Sequence, residues 1–251
     1  MRWSGLGFDM GIGFNREAVE AVGEDWAEIE VYNQVLERLK KCRLPAIKKE
    51  GDAARSKAVW KIKGLQQGVL YRTVMLADGC ADAWNAHNPL ASLLCARAII
   101  ETVAFFDNFE TDLSKLCEQK DFSAIDKLVM KHTFATRLKD LSWGTEAVNI
   151  LTLIGKLDKR LGKKDDGVLS HYEFISEFCH PNSYGHTQFF QVLDEETATI
   201  NLSDKPVPER SLFGFICGGF LLIGLIEISL NNIEKFLLPK VLELSEAARR
   251  K

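Results

Sequence analysis

Apolar residues recur at three- and four-residue spacings along most of this chain, the pattern of helices that bury one face. The pattern predicts a first helix over 15–41, with Asn15 as its cap. Glu17, Glu20 and Glu24 stand early in it and Arg38, Lys40 and Lys41 late, which suits the helix dipole. Pro45 and the charged stretch 46–57 predict a loop, and a second helix runs from Ala58 to His87. Asn88-Pro89 ends it and starts a third, with Asn88 capping and Pro89 at the first helical position. This third helix, over 89–108 or a little further, is apolar nearly all round, as befits the middle of a bundle. Further helices are predicted over 121–136, over 145–161 with Gly162 as its stop, and over 166–180, ended by Pro181. Residues 163–166 read as a charged turn. The strand pattern is confined to 188–202, where Gln188–Leu193 and Ala198–Leu202 flank Asp194-Glu-Glu-Thr, a hairpin excursion. A long helix then follows Pro208 to Leu238, and Pro239 opens a short last helix with a basic tail.

The fold class that follows is all-α: a bundle of about seven or eight helices with a small β-hairpin near 188–202. The chain reads as a single helical domain over 1–251, with four glycines among residues 5–13 marking a loose N-terminal segment, 1–14. Residues 212–226 form an uncharged apolar run containing Gly214-x-x-x-Gly218, a spacing that also serves membrane helices. A spanning helix needs about 20 apolar residues, and Glu227 interrupts the run. The segment 212–230 is therefore expected to pack inside the bundle, its glycines marking close helix approach, with membrane association as the competing reading.

A net charge of −3 argues against nucleic-acid binding through bulk charge, while leaving room for a local basic patch. Six cysteines show no C-x-x-C pair and no framework spacing, which predicts reduced, mostly buried thiols in a cytoplasmic protein. The N-terminal residues lack the basic-then-apolar order of a secretory signal.

Two helices combine polar chemistry with apolar surroundings. On the third, Arg97 and Glu101 stand four residues apart and can meet, and each requires a partner if the helix is central. On the sixth, Tyr172, Ser176, Cys179 and His180 are expected on one inner face, with Glu173 and Glu177 directed elsewhere. Pro181 stops that helix, and Asn182-Ser-Tyr-Gly-His186 follows. The two helices should be neighbours, with Arg97 or Glu101 in hydrogen-bond reach of Tyr172, Ser176 or His180. Three of the five histidines fall within 171–186, yet their spacing matches no metal-ligand pattern, so no metal and no cofactor are expected. Cys179 and His180 are sequence neighbours pointing about 100° apart, which does not make a nucleophile–base pair.

The motifs Ala96-Arg97-Ala-Ile-Ile-Glu101 and Tyr172-Glu-Phe-Ile-Ser-Glu-Phe-Cys-His180-Pro-Asn182 resemble a set of bacterial all-helical proteins with R-x-x-x-E and Y-x-x-x-S-x-x-x-H helices. Over residues 65–190 the chain is also distantly similar to the HEPN superfamily of helical bundles. That resemblance implies a metal-independent ribonuclease of a defence or stress-response system. The usual motif there is Arg, often then Asn, then His four to six residues after the Arg. Here Asn182 and His186 fill the last two places and Pro181 stands where the Arg would be, so the cation would have to come from Arg97.

These readings give a leading expectation and two rivals. The first is a HEPN-like protein that binds or cleaves RNA without metal. His180 and His186 would exchange protons, Arg97 with Glu101 would meet the phosphate, and Tyr172, Ser176 and Asn182 would bind. The second is a non-catalytic interaction or dimerisation module, working as a homodimer or with a partner protein, in which the same polar residues form a structural network. The third is the membrane-associated reading of 212–230.

Overall fold

In the computed structural model of the chain, residues 13–136, 148–162, 167–203 and 209–250 are described, and side-chain caps start most of the helices they form. Asn15 accepts from the Ala18 amide at 2.7 Å to begin α1 (Arg16–Glu20), and Asp25 accepts from Ala27 at 2.9 Å to begin α2 (Trp26–Lys41). The expected single helix over 15–41 is thus two. Gly23, at φ 76°, turns the chain left-handed between them, which glycine does without steric penalty. A short α3 (Asp52–Arg55) interrupts the expected loop. Ser56 caps α4 (Lys57–Asn85), and Asn88 caps α5 (Pro89–Gln119) at 3.1 Å with Pro89 in its first turn. α5 runs to Gln119 and is closed by Lys120 in the left-handed region (φ 56°), a non-glycine stop that gives little sequence signal. Asp121 caps α6 (Phe122–Phe134) and Asn149 caps α7 (Ile150–Leu161), which Gly162 ends at φ 72°. Each such cap contributes about 1 kcal/mol.

Next come α8 (Val168–Cys179) and α9 (Ser183–Phe190). The hairpin follows, with β1 (Gln191–Asp194) antiparallel to β2 (Thr199–Leu202) and Gln191 opposite Leu202. Residues 188–190, expected to open the hairpin, are instead the last turn of α9. The long helix expected to Leu238 is broken into α10 (Glu209–Phe220) and α11 (Ile223–Asn232). It continues through a π-helical turn (Ile233–Leu237) into α12 (Leu238–Arg249). The widened turn stands just before Pro239, where an ordinary α-turn would bring the proline ring against the carbonyl of Lys235. The expected turn at 163–166, residues 145–147 and most of the loose N-terminal segment lie outside the described residues. Phe14, assigned to that segment, is a core residue. It is 1% exposed, and its backbone is held by Asn33 at 3.1 and 2.9 Å.

The protein is all-α with one small hairpin, built around α5. That helix packs against α4, α6, α7, α8, α10 and α11, and Leu93, Ile99, Ile100, Val103, Phe106 and Phe109 are fully buried on its different sides. Burying a side chain of this size stabilises by roughly 1.5–3 kcal/mol. α10 lies closest. A Cβ built on Gly219 would sit 3.0 Å from the Ala96 carbonyl oxygen, and one on Gly218 would meet the His171 ring. Gly214 departs from expectation, since a Cβ there meets nothing within 4 Å. Two helical stretches, Pro89–Gln119 and Arg210–Arg249, are long and apolar enough to cross a membrane by length and composition alone. Within the bundle, Leu212, Phe213, Ile216, Phe220, Ile223 and Ile226 are all buried.

Candidate functional site

The polar cluster begins on α5. Arg97 and Glu101, one turn apart, put Nε 3.5 Å from Oε1. α8 packs against α5 and lays Tyr172 across the pair. Arg97 donates to the Tyr172 hydroxyl from Nε at 3.3 Å and from Nη2 at 3.1 Å. That hydroxyl in turn donates to Glu101 Oε1 at 2.8 Å. The guanidinium also stands 5.3 Å from the centre of the Tyr172 ring, within cation–π range. Burial and the Glu101 hydrogen bond raise the phenol above its ordinary pKa against the opposing pull of Arg97, so Tyr172 keeps the proton it donates. Burial works against the charge of Arg97, but its bonds to Tyr172 and Glu101 outweigh it and the net shift is upward. The expected proximity of the two helices therefore holds through Tyr172. The pair is not sealed, however, with side chains 26% and 30% exposed.

The other candidates separate from this triad. Ser176 spends its hydroxyl on the Tyr172 carbonyl at 2.7 Å, one turn back on its own helix, and does not reach Arg97. Cys179 lies close enough to feel both charges. Burial first, then Glu101, pushes its thiol up to about 11 against the pull of Arg97, so it stays protonated and poorly nucleophilic. His180 was expected on the inner face and is instead exposed. The helix ends at Cys179, and His180 is its cap at φ −85°, ψ 145°, an extended conformation that carries the side chain off the helical spiral.

Asn182 is committed to structure. Its side chain accepts from the Gly185 amide at 2.8 Å as the cap of α9 and donates to Glu177 Oε2 at 2.8 Å. Gly185 presses against the His180 carbonyl so closely that a Cβ would collide with it. The result is a tight corner with His180 before it and His186, also exposed, just after it.

Between them stands Tyr184, which the sequence reading passed over. It is 40% exposed, and its ring rests edge-on against Phe178 at 5.0 Å and Phe174 at 6.3 Å. Phe174 in turn stacks on Phe215 of α10 at 4.2 Å. The aromatic i, i+4 spacing of Phe174 and Phe178 is the signal that could have pointed to a supported ring.

Two further features were not anticipated. His171, one of the clustered histidines, is half-buried and turned toward α10. Its Nε2 lies 2.8 Å from the Phe215 carbonyl, an acceptor only, so Nε2 carries the proton. Burial, against that hydrogen bond, lowers its pKa. Glu101 also borders a cleft of about 500 Å³ between α4, α5, α6 and α7, with Arg72 and Thr102 on its wall. Arg72 donates to the Thr102 hydroxyl at 3.0 Å. Arg97, His180 and His186 do not line this cleft, so it does not bring the four residues proposed for catalysis together. Among the described residues no three His, Cys, Asp or Glu side chains are grouped to hold a metal ion.

No family model matches this chain, and comparisons with curated proteins and with solved structures return no match.

Proposed function

We propose that the α8–α9 corner is a binding site for single-stranded RNA in a cytoplasmic, HEPN-like helical protein, and that any cleavage there proceeds without metal. The observation that carries this reading is Tyr184, an exposed ring braced by Phe174 and Phe178 between two exposed imidazoles. Single-stranded RNA is held chiefly by bases stacked on such rings, a mode open to a protein of net charge −3. Asn182 and Gly185 fix the corner that presents them.

An imidazole with an ordinary pKa of about 6.5 exchanges protons near neutrality. One histidine would take the ribose 2′-OH proton as that oxygen attacks the adjacent phosphorus, and the other would protonate the departing 5′ oxygen, leaving a 2′,3′-cyclic phosphate. Arg97 acts at one remove. With its charge matched by Glu101 and its donors on Tyr172, it positions α8 beneath the corner.

The test is incubation of purified protein with single-stranded and structured RNAs, with and without EDTA, beside His180→Ala and His186→Ala. Cleavage that survives EDTA and is lost in either histidine variant is the expected result. Cleavage abolished by EDTA refutes the metal-free chemistry.

A second reading is favoured by the closure of the Arg97–Tyr172–Glu101 triad on itself, which is how a structural network in a non-catalytic interaction module is built. Absence of both cleavage and RNA binding would select it.

A further inference from the structure

α4 buries the stripe Ile62, Gln66, Leu70 and Val74, and one member of it is polar. Gln66 is only 4% exposed, yet among the described residues its carboxamide has no hydrogen-bond partner. Buried amides are normally paired; the polar atoms of Gln66 are not among the sealed atoms that lack a partner, so they open onto the cleft it lines and are free to take a ligand there. Gln66 lines a cleft of about 570 Å³ between α2, α4 and α11, whose accessible apolar lining comes from Leu44, Ile47 and Leu230.

The charges around the cleft are mostly matched. Arg38 grips Glu227 with two bonds of 2.7 and 2.9 Å, and Lys63 lies 3.2 Å from Glu234. Lys41, on the rim at the end of α2, is exposed and has no ion partner among the described residues.

We propose that this cleft binds a small planar heterocycle with adjacent hydrogen-bond donor and acceptor, of the nucleobase class, carrying an anionic group such as phosphate. The Gln66 carboxamide offers one donor and one acceptor side by side, the edge that pairs bidentately with adenine. The side chains of Leu44, Ile47 and Leu230 suit the flat faces of a ring, and Lys41, without an ion partner among the described residues, supplies a cation for the anionic end. A volume near 570 Å³ is in the range of small-molecule sites. This site is separate from the RNA corner proposed above and does not depend on it.

The experiment is calorimetric titration of the full chain with AMP, adenosine and ribose 5-phosphate. AMP is expected to bind, adenosine more weakly and ribose 5-phosphate not detectably. Gln66→Leu should reduce AMP affinity roughly tenfold or more, with the ligand-free thermal midpoint checking that the variant is folded. Lys41→Ala should weaken AMP binding several-fold while leaving adenosine unaffected. Tyr184→Ala should change neither, which separates this site from the RNA corner. Failure of AMP and adenosine to bind at millimolar concentration, or AMP binding indifferent to Gln66→Leu, would each overturn the proposal.

Discussion

The Tyr172 hydroxyl donates to Glu101 at 2.8 Å while accepting from Arg97 Nη2 at 3.1 Å, so one buried phenol joins both charges of the α5 pair to α8. Losing that hydroxyl leaves Arg97 and Glu101 still 3.5 Å apart, so Tyr172→Phe should cost about 1–2 kcal/mol. Arg97→Ala removes more bonds, but the carboxylate it strands is 30% exposed and can draw on water. Its cost is expected at about 1–2 kcal/mol as well, below the roughly 3–5 kcal/mol of a fully buried pair. Urea denaturation of the two variants measures this. A loss above about 3 kcal/mol in Arg97→Ala would mean that Glu101 is sealed from solvent.

The glycines of α10 should differ sharply. Gly219→Val would push a side chain into the α5 backbone at Ala96, with first contact at 3.0 Å from its carbonyl oxygen, and should destabilise by about 1–3 kcal/mol. Gly214→Ala meets nothing within 4 Å and removes a flexible residue from a helix, so a gain of up to about 1 kcal/mol is expected. Thermal midpoints of the pair check the contrast, and equal effects would contradict it.

Much of this architecture is legible in the residues. Asn88-Pro89 and Gly162 are local signals read by local rules, and the apolar circumference of α5 announces a central helix, whereas α7, expected from 145, begins at Ile150 behind an Asn149 cap that was not read. The Arg97–Tyr172 contact follows from the need of polar groups on apolar faces for partners. Less legible was whatever depends on a few dihedral angles. Gly23 and Lys120 adopt left-handed conformations that move helix ends, and one extended residue, His180, takes an imidazole from the inner face to the surface. Tyr184 and Gln66 were missed because neither forms a motif. One matters through the rings beneath it, the other through the cleft it lines. The most deeply buried ion pair among the described residues was missed for the same reason. It joins Lys40 on α2 to Asp78 on α4 at 2.8 Å, a contact between distant segments that spacing cannot disclose.

Stability should fall in mild acid. His132 and His171 both have pKa values lowered chiefly by burial, each opposed by a hydrogen bond to a backbone carbonyl, from Leu128 and Phe215 respectively. The unfolded chain, with imidazoles near 6.5, binds more protons than the folded one just below that pH, so stability rises with pH across the window. Their contribution is complete above about 6.5 and is lost progressively as the pH falls from there towards the lowered folded values. Denaturation midpoints at pH 7.5 and 5.5 measure the slope, which His171→Gln should flatten. A slope unchanged by that substitution would exclude His171 as a source.

Tyr184 is proposed as the stacking platform of the α8–α9 corner, and fluorescence anisotropy with a labelled single-stranded RNA reads that stacking. Tyr184 is surface-exposed, so its replacement should leave the fold intact. Wild type and Tyr184→Phe are expected to bind alike, because a phenylalanine ring keeps the stacking face. Tyr184→Ala should lose roughly tenfold or more in affinity, the range expected from removing one base–aromatic stack. Wild-type binding that persists unchanged in Tyr184→Ala, or wild type that fails to bind the RNA at all, would contradict it.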